Sequence, residues 1–381
     1  MSDTTTTTDV DLRERFLPRL AAGNTTTVVI PADTHIEPVD WQTITSTECL
    51  NGDPSLPFEI SYPVFDPSMF PAHVQDRIPD PDYFFVDHDN LLFGIISDLM
   101  RGDSPVVWGE AGIGKSVAFE KVAALMQVPF LRIHLNEFTD PEVFTGHYEL
   151  VAGETTWVHS PAVELLGLPS LQVYEEWNSA SEGCRFWSRP LLDGYNRVTL
   201  DGHEGETYLR HQWAFIGSTG NPHYSSRNSG VVPLSEPDND RLSHHVVDWP
   251  KPSVEFEILW RLRSDQGLPI TGAQIVNAIA VWNHMRSRID TGEITAGGST
   301  RSLKRFVGNL GTASPESAFA RCFRRVAPKE YATLATSLAT QKLTPTATAH
   351  AFTYDQLTAA QKALVMGKKK PAKTGVTYTL A

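Results

Sequence analysis

The stretch Pro105-Val-Val-Trp-Gly-Glu-Ala-Gly-Ile-Gly-Lys-Ser116 decides how this chain is read. The apolar run Val106-Val107-Trp108 predicts a buried strand. Gly109, Glu110, Ala111, Gly112, Ile113, Gly114, Lys115 and Ser116 then follow the G-x-x-x-x-G-K-[ST] spacing of a P-loop, and a helix is predicted from Val117 to Met126. The spacing has a physical meaning. Glycines let backbone N–H groups converge on a phosphate, and the following helix N-terminus adds positive potential there. Lys115 would reach the β- and γ-phosphates and Ser116 would ligate Mg²⁺, so the pattern predicts binding of a nucleoside triphosphate.

Composition sets the bounds around that site. The 381 residues suffice for two or three domains with full cores. A formal charge of -13 argues against bulk binding to a phosphate backbone as the main task. No stretch has the apolar length of a membrane span, and Met1-Ser-Asp-Thr-Thr lacks signal-peptide character. Cys49, Cys184 and Cys322 are far apart, which suits reduced thiols better than a disulfide framework or zinc site; a cytoplasmic location is expected. His147, His159, His244 and His245 lack metal-ligand spacing.

The chain divides into four expected parts. Residues 1–82 form an N-terminal extension with a Thr-rich, disordered start and a few short strands. Residues 83–250 form an α/β nucleotide-binding core. Residues 251–345 form an all-α lid, and residues 346–381 a C-terminal segment with a flexible basic tail. Within the core, Leu91, Leu92, Ile95, Ile96 and Leu99 share one helical face between His88 and Arg101. Tyr148–His159 and Arg197–Leu209 read as β-hairpins. Helices are expected at Val254–Ser264, Thr271–Ile289, Thr300–Leu310 and Pro315–Val326.

Hydrolysis of a bound triphosphate also needs a carboxylate for hydrated Mg²⁺ and a group that positions water. Glu175 and Glu176 end the apolar run Leu171-Gln-Val-Tyr, where such a pair belongs. Adjacent strand residues point to opposite faces, so Glu175 is assigned to Mg²⁺ and Glu176 to the attacking water. Asn221, ending the apolar run that starts at Trp213, is placed to orient that water through its amide; a plain turn Asn before Pro222 is the competing reading.

The order Gly109–Ser116, Glu175-Glu176, Asn221-Pro222, Asp240-Arg241 and Thr300-Arg301 resembles the AAA+ ATPases, over roughly Tyr83 to Leu310. Among them the chain is similar to the MoxR branch, and most of all to the small ATPase subunit of aerobic cobaltochelatase. The resemblance implies a P-loop AAA+ core, a parallel sheet flanked by helices with β-hairpin inserts, followed by an all-α lid. Asn221 resembles the family's sensor-1 Asn. Arg241, in Asn-Asp-Arg-Leu242, resembles the arginine that reaches a neighbouring subunit's nucleotide, and Arg301 resembles the sensor-2 arginine. The two hairpins resemble the helix-2 and pre-sensor-1 inserts.

The resemblance also implies ATP and Mg²⁺ as cofactors, a homo-oligomeric ring with six subunits as its expected size, and a separate von Willebrand A domain protein or other protein client. Two departures stand out. Glu175 replaces the usual Asp, and Ser179 stands where an Arg commonly follows Asn178. Two alternatives stay open: a nucleic-acid motor or restriction-type nucleotidase, and a weakly hydrolysing ATP-dependent assembly module.

Overall fold

A computed structural model describes residues 36–151, 153–200, 205–222, 234–294 and 297–323, together with short pieces at 28–29, 331–332, 334–335, 352–353 and 377–378. The expected disorder of the Thr-rich start, the end of the helix predicted to reach Val326 and the basic tail lie outside the described residues.

The two-residue strand β1 (Val28–Val29) is followed by the antiparallel ribbon β2 (Asp40–Cys49) and β3 (Pro57–Val64), and by the short helix α1 (Ala72–Gln75). The core then runs α2 (Leu91–Arg101), β4 (Ser104–Trp108), α3 (Lys115–Met126), β5 (Phe130–His134) and α4 (Glu142–Thr145). The hairpin β6 (Gly146–Val151) and β7 (Glu154–His159) comes next, then α5 (Pro161–Leu166), β8 (Ser170–Glu175) and α6 (Glu182–Leu192). A second hairpin, β9 (Arg197–Leu200) and β10 (Glu206–Leu209), precedes β11 (Ala214–Gly220), α7 (Glu236–Asn239) and β12 (Leu242–Val246).

Five of these strands form one parallel sheet in the order β12-β4-β11-β8-β5. Numbered among themselves in chain order, they read 5-1-4-3-2. The first strand therefore lies between two later ones, and the crevice at its C-terminal end is a topological switch point. Both faces of the three central strands, β4, β11 and β8, are buried, by strict alternation. Val107, Val173 and Phe215 face α2, α3 and the β2–β3 ribbon, whereas Val106, Tyr174 and Ile216 face α5, α6 and the β9–β10 hairpin. On α2, the predicted face of Leu91, Leu92, Ile95, Ile96 and Leu99 is buried, and Gly102 ends the helix with φ +82°.

Helix α6 carries no clear signal in the sequence. Gly183 in its first turn and Pro190 in its last interrupt the pattern, yet Ser181 Oγ caps it by accepting from Cys184 N at 3.2 Å. Glu176 brings another difference. It stands after the strand end with φ +58°, ψ +39°, so strand alternation does not govern where it points.

Beyond Pro250 the helices α8 (Pro252–Asp265), α9 (Gly272–Asp290), α10 (Thr300–Leu310) and α11 (Pro315–Phe323) share a separate core around Trp282, Phe306 and Phe319. That core contains one buried ion pair. Arg286 donates from both terminal nitrogens to Glu255 at 2.9 and 2.6 Å, and from Nε to Gly298 O at 2.8 Å. Thr300 Oγ1 donates to the same carboxylate at 2.8 Å, and Trp249, in the link from β12, lies under the guanidinium at 4.8 Å. The pair thus holds the link, α8, α9 and the start of α10 together. Arg286→Met leaves Glu255 buried without its partner, and is expected to cost about 3–5 kcal/mol in chemical denaturation followed by helical circular dichroism.

Candidate nucleotide site

The loop between β4 and α3 is shaped by its glycines. Gly112 and Gly114 have φ +84° and +105°, a region costly for side-chain-bearing residues. Gly109 is needed for space, since a Cβ there would stand 2.6 Å from Val247 O and 2.2 Å from Ile113 Cδ1. The helix predicted to start at Val117 starts at Lys115, so Lys115 and Ser116 occupy its N-terminal turn, whose N–H groups have no partner within the helix.

Lys115 is the centre of the polar part. Its Nζ donates to Gly109 O at 2.5 Å, to Glu110 O at 3.1 Å and to Asn221 Oδ1 at 2.8 Å. Burial pushes the Lys115 ammonium down to about 8; the positive charge of Arg301 adds to this, while Glu110, Glu176 and Glu175 oppose it. A phosphate beside Nζ would reverse the shift.

A cavity of about 250 Å³ collects Ala111, Gly112, Gly114, Lys115, Ser116 and Val117 from the loop and helix, Glu175 and Glu176 from the end of β8, Asn221 from the end of β11, and Arg301 from α10. Glu175 Oε2 lies 2.6 Å from Nδ1 of His134, its neighbour in register on β5. Glu176 N donates to Thr219 Oγ1 at 3.3 Å, which ties its left-handed backbone to β11. Both carboxylates therefore line one cavity although they do not alternate on a strand.

Arg301 arrives from the helical region. Its backbone N donates to Gly112 O at 3.3 Å, and a Cβ on Gly112 would stand 3.1 Å from that of Arg301. Arg241 lies elsewhere. It immediately precedes Leu242, which pairs with Ser104 at the end of β4 opposite the P-loop. There its Nε donates to Asp193 at 2.8 Å and its Nη1 bonds Pro237 O. It lines neither cavity at the P-loop.

Three arrangements at the site had no reading in the sequence. A second cavity of about 240 Å³ adjoins the loop, lined by Phe84, Phe85, Val86, Pro250 and Ile258, with Lys304 and His88 among its polar groups. Tyr83-Phe-Phe-Val was legible only as the start of regular structure. Asn178, buried, brackets Asn221: its Nδ2 donates to Asn221 O at 2.7 Å and its Oδ1 accepts from Asn221 N at 3.3 Å. His134 on Glu175 is the third. The C-terminal position of Asn178 after the paired glutamates is a faint signal; nothing local marks the other two.

The donor set fits Mg²⁺. The Ser116 hydroxyl and the Glu175 carboxylate are hard oxygen ligands within one cavity, and two protein ligands leave room for water and phosphate oxygens. Among the described residues no group of three or more His, Cys, Asp or Glu is arranged to hold a metal alone. No described helix is long and apolar enough to cross a membrane.

Residues 105–229, from β4 past Asn221, match the family model of the AAA domain, dynein-related subfamily. Together with the 5-1-4-3-2 parallel sheet and the helical region behind it, this makes the fold a P-loop AAA+ fold. Among solved structures, two RuvB mutants of Thermotoga maritima are similar at 14% identity and a TM-score of 0.41. One alignment covers 71% of this chain and 74% of the other, the second 69% and 74%. Comparison with curated proteins gave no match.

The Lys115 environment is directly testable. In NMR of protein carrying ¹³C-labelled lysine, the resonance lost in Lys115→Ala should titrate with a midpoint near pH 8, well below ordinary lysines. A triphosphate anion should move that midpoint upward. Its affinity should then fall as pH rises through about 8 to 10, because the free protein loses the charge that the phosphate needs.

Proposed function

We propose that this chain is an ATPase that binds ATP with Mg²⁺ between core and helical region and uses hydrolysis to remodel a protein partner. The observation that carries this reading is the convergence of Lys115, Ser116, Glu175, Glu176, Asn221 and Arg301, from four separate elements, on one cavity beside the P-loop. The adjoining aromatic and aliphatic cavity suits a nucleobase.

In this reading the loop N–H groups and Lys115 hold the β- and γ-phosphates, with Lys115 giving up its bonds to Gly109 O, Glu110 O and Asn221 Oδ1 to do so. Ser116 and Glu175 hold Mg²⁺, which when bound supplies neutralisation of charge on the phosphate oxygens. Glu176 accepts the proton of the attacking water, and Asn221, bracketed by Asn178, orients that water. Arg301 approaches the γ-phosphate from the helical side, so cleavage would release one of the ties between helical region and core.

Arg241 cannot serve its own P-loop from the opposite end of the sheet. Its role as an arginine supplied in trans, worth orders of magnitude in rate, requires a second subunit and hence a ring. We assign the chain to the MoxR and cobaltochelatase-subunit kind, as a hexamer acting on a von Willebrand A domain protein or similar client. The two hairpins, one after α4 and one before β11, support that assignment. A second reading, an assembly module that hydrolyses slowly, is favoured by one observation: Glu175, in place of the shorter Asp, is engaged by His134.

Turnover of Glu176→Gln against wild type separates the two. The remodelling reading expects a loss of roughly 10²- to 10⁴-fold in kcat with nucleotide binding retained. Equal, slow rates would favour assembly. With Mg-ATP, Glu176→Gln should also retain a protein partner in pull-downs that wild type releases.

A further inference from the structure

Trp108 ends β4 and borders the P-loop directly. Its indole ring lies over the end of β11, where a Cβ on Gly220 would come within 2.3 Å of it. Its Nε1–H donates to His244 Nδ1 at 2.8 Å, the two rings nearly parallel at 6°. An indole N–H can only donate, so Nδ1 of His244 must carry a lone pair. Nε2 therefore holds the proton, and it donates to Asn239 O at 3.1 Å. Asn239 is the last residue of α7, whose terminal carbonyls lack helical partners, and Arg241 follows two residues later. His244 itself is exposed on the edge strand β12, so its bonds are not needed to fill a core.

Both flanks of Trp108 belong to the site. Gly109, its successor, accepts from Lys115, and Gly220, beneath its ring, precedes Asn221, which also accepts from Lys115. A phosphate that draws Lys115 away changes the bonding on both sides of the indole at once. The strand ends are further joined, since Gly109 N donates to Gly220 O at 3.3 Å and Val247 N donates to Trp108 O at 2.8 Å. A shift at this corner has a direct hydrogen-bonded route to the end of α7.

We infer that His244 is a positioning residue that couples occupancy of this chain's own P-loop to the setting of Arg241, and so to the neighbouring subunit's site. The inference rests on the trans role given to Arg241 above. Its physical content is differential bonding: Lys115 holds Gly109 and Asn221 in one state and phosphate in the other, and the Trp108–His244–Asn239 chain gives α7 a stake in which state holds.

His244→Phe keeps a ring and removes both hydrogen bonds, and His244→Gln keeps one acceptor and one donor. The test is hydrogen exchange of the 236–241 segment with and without a non-hydrolysable ATP analogue and Mg²⁺, which needs no turnover. Wild type and His244→Gln should change protection on nucleotide addition, and His244→Phe should not. In steady-state assays His244→Phe should lose roughly ten- to hundredfold in kcat with KM within about twofold of wild type. An unaltered exchange response in His244→Phe overturns the link. If Arg241→Ala leaves kcat unchanged, the trans role of Arg241 fails instead, and the exchange response still decides whether His244 connects site and helix.

Discussion

The polar half of the site depends on one ammonium group. Lys115 sits largely out of water with three oxygen acceptors, two from the loop backbone and one from the end of another strand. That arrangement costs charge stability, because burial lowers the pKa of the ammonium to about 8, and it closes the P-loop on itself. A phosphate is the group that relieves both conditions. It restores the ammonium's preference for its charge and offers better acceptors than peptide carbonyls. In the proposed reading the same exchange would release Gly109 and Asn221 together, so that two strands of the central sheet would feel a local electrostatic event.

The helical region contributes through a second concentration of charge. Glu255 and Arg286 are fully paired inside an apolar core, and Thr300 adds its hydroxyl to the same carboxylate. This sets the start of α10, where Arg301 meets Gly112 of the P-loop. Because Trp249 lies under Arg286, the link from the last core strand is held by the same group. Core and helical region thus meet at the P-loop with both ends of the connection anchored.

Much of the site was legible because its parts are local. The P-loop needs glycines, a lysine and a hydroxyl at fixed spacing, and those can be read one after another. Glu175 and Glu176 follow an apolar run, and their convergence with Asn221 on one cavity agrees with the spacing. The reason offered for their separate roles did not carry over, since Glu176 leaves strand geometry with a positive φ. Helix α6 was missed because Gly183 and Pro190 obscure its period while packing still holds it. The aromatic cavity at Phe84 and Phe85 could not be read, since its walls come from both sides of the core and helical region.

Local sequence was enough to specify a P-loop and an α/β core with helices after it, and to nominate the carboxylates, amide and arginines proposed for the site. These are properties of residues near one another in the chain, where spacing and period carry the information. Which distant residues touch follows from the packing of whole elements. Lys115 meets Asn221 across 106 positions, and Trp108 meets His244 across 136. Arg241 was set at the far end of the sheet, away from its own P-loop, by the pairing of Leu242 with Ser104. Those facts follow from strand order and register in a parallel sheet, where neighbours are chosen by packing of whole elements rather than by any short run of residues.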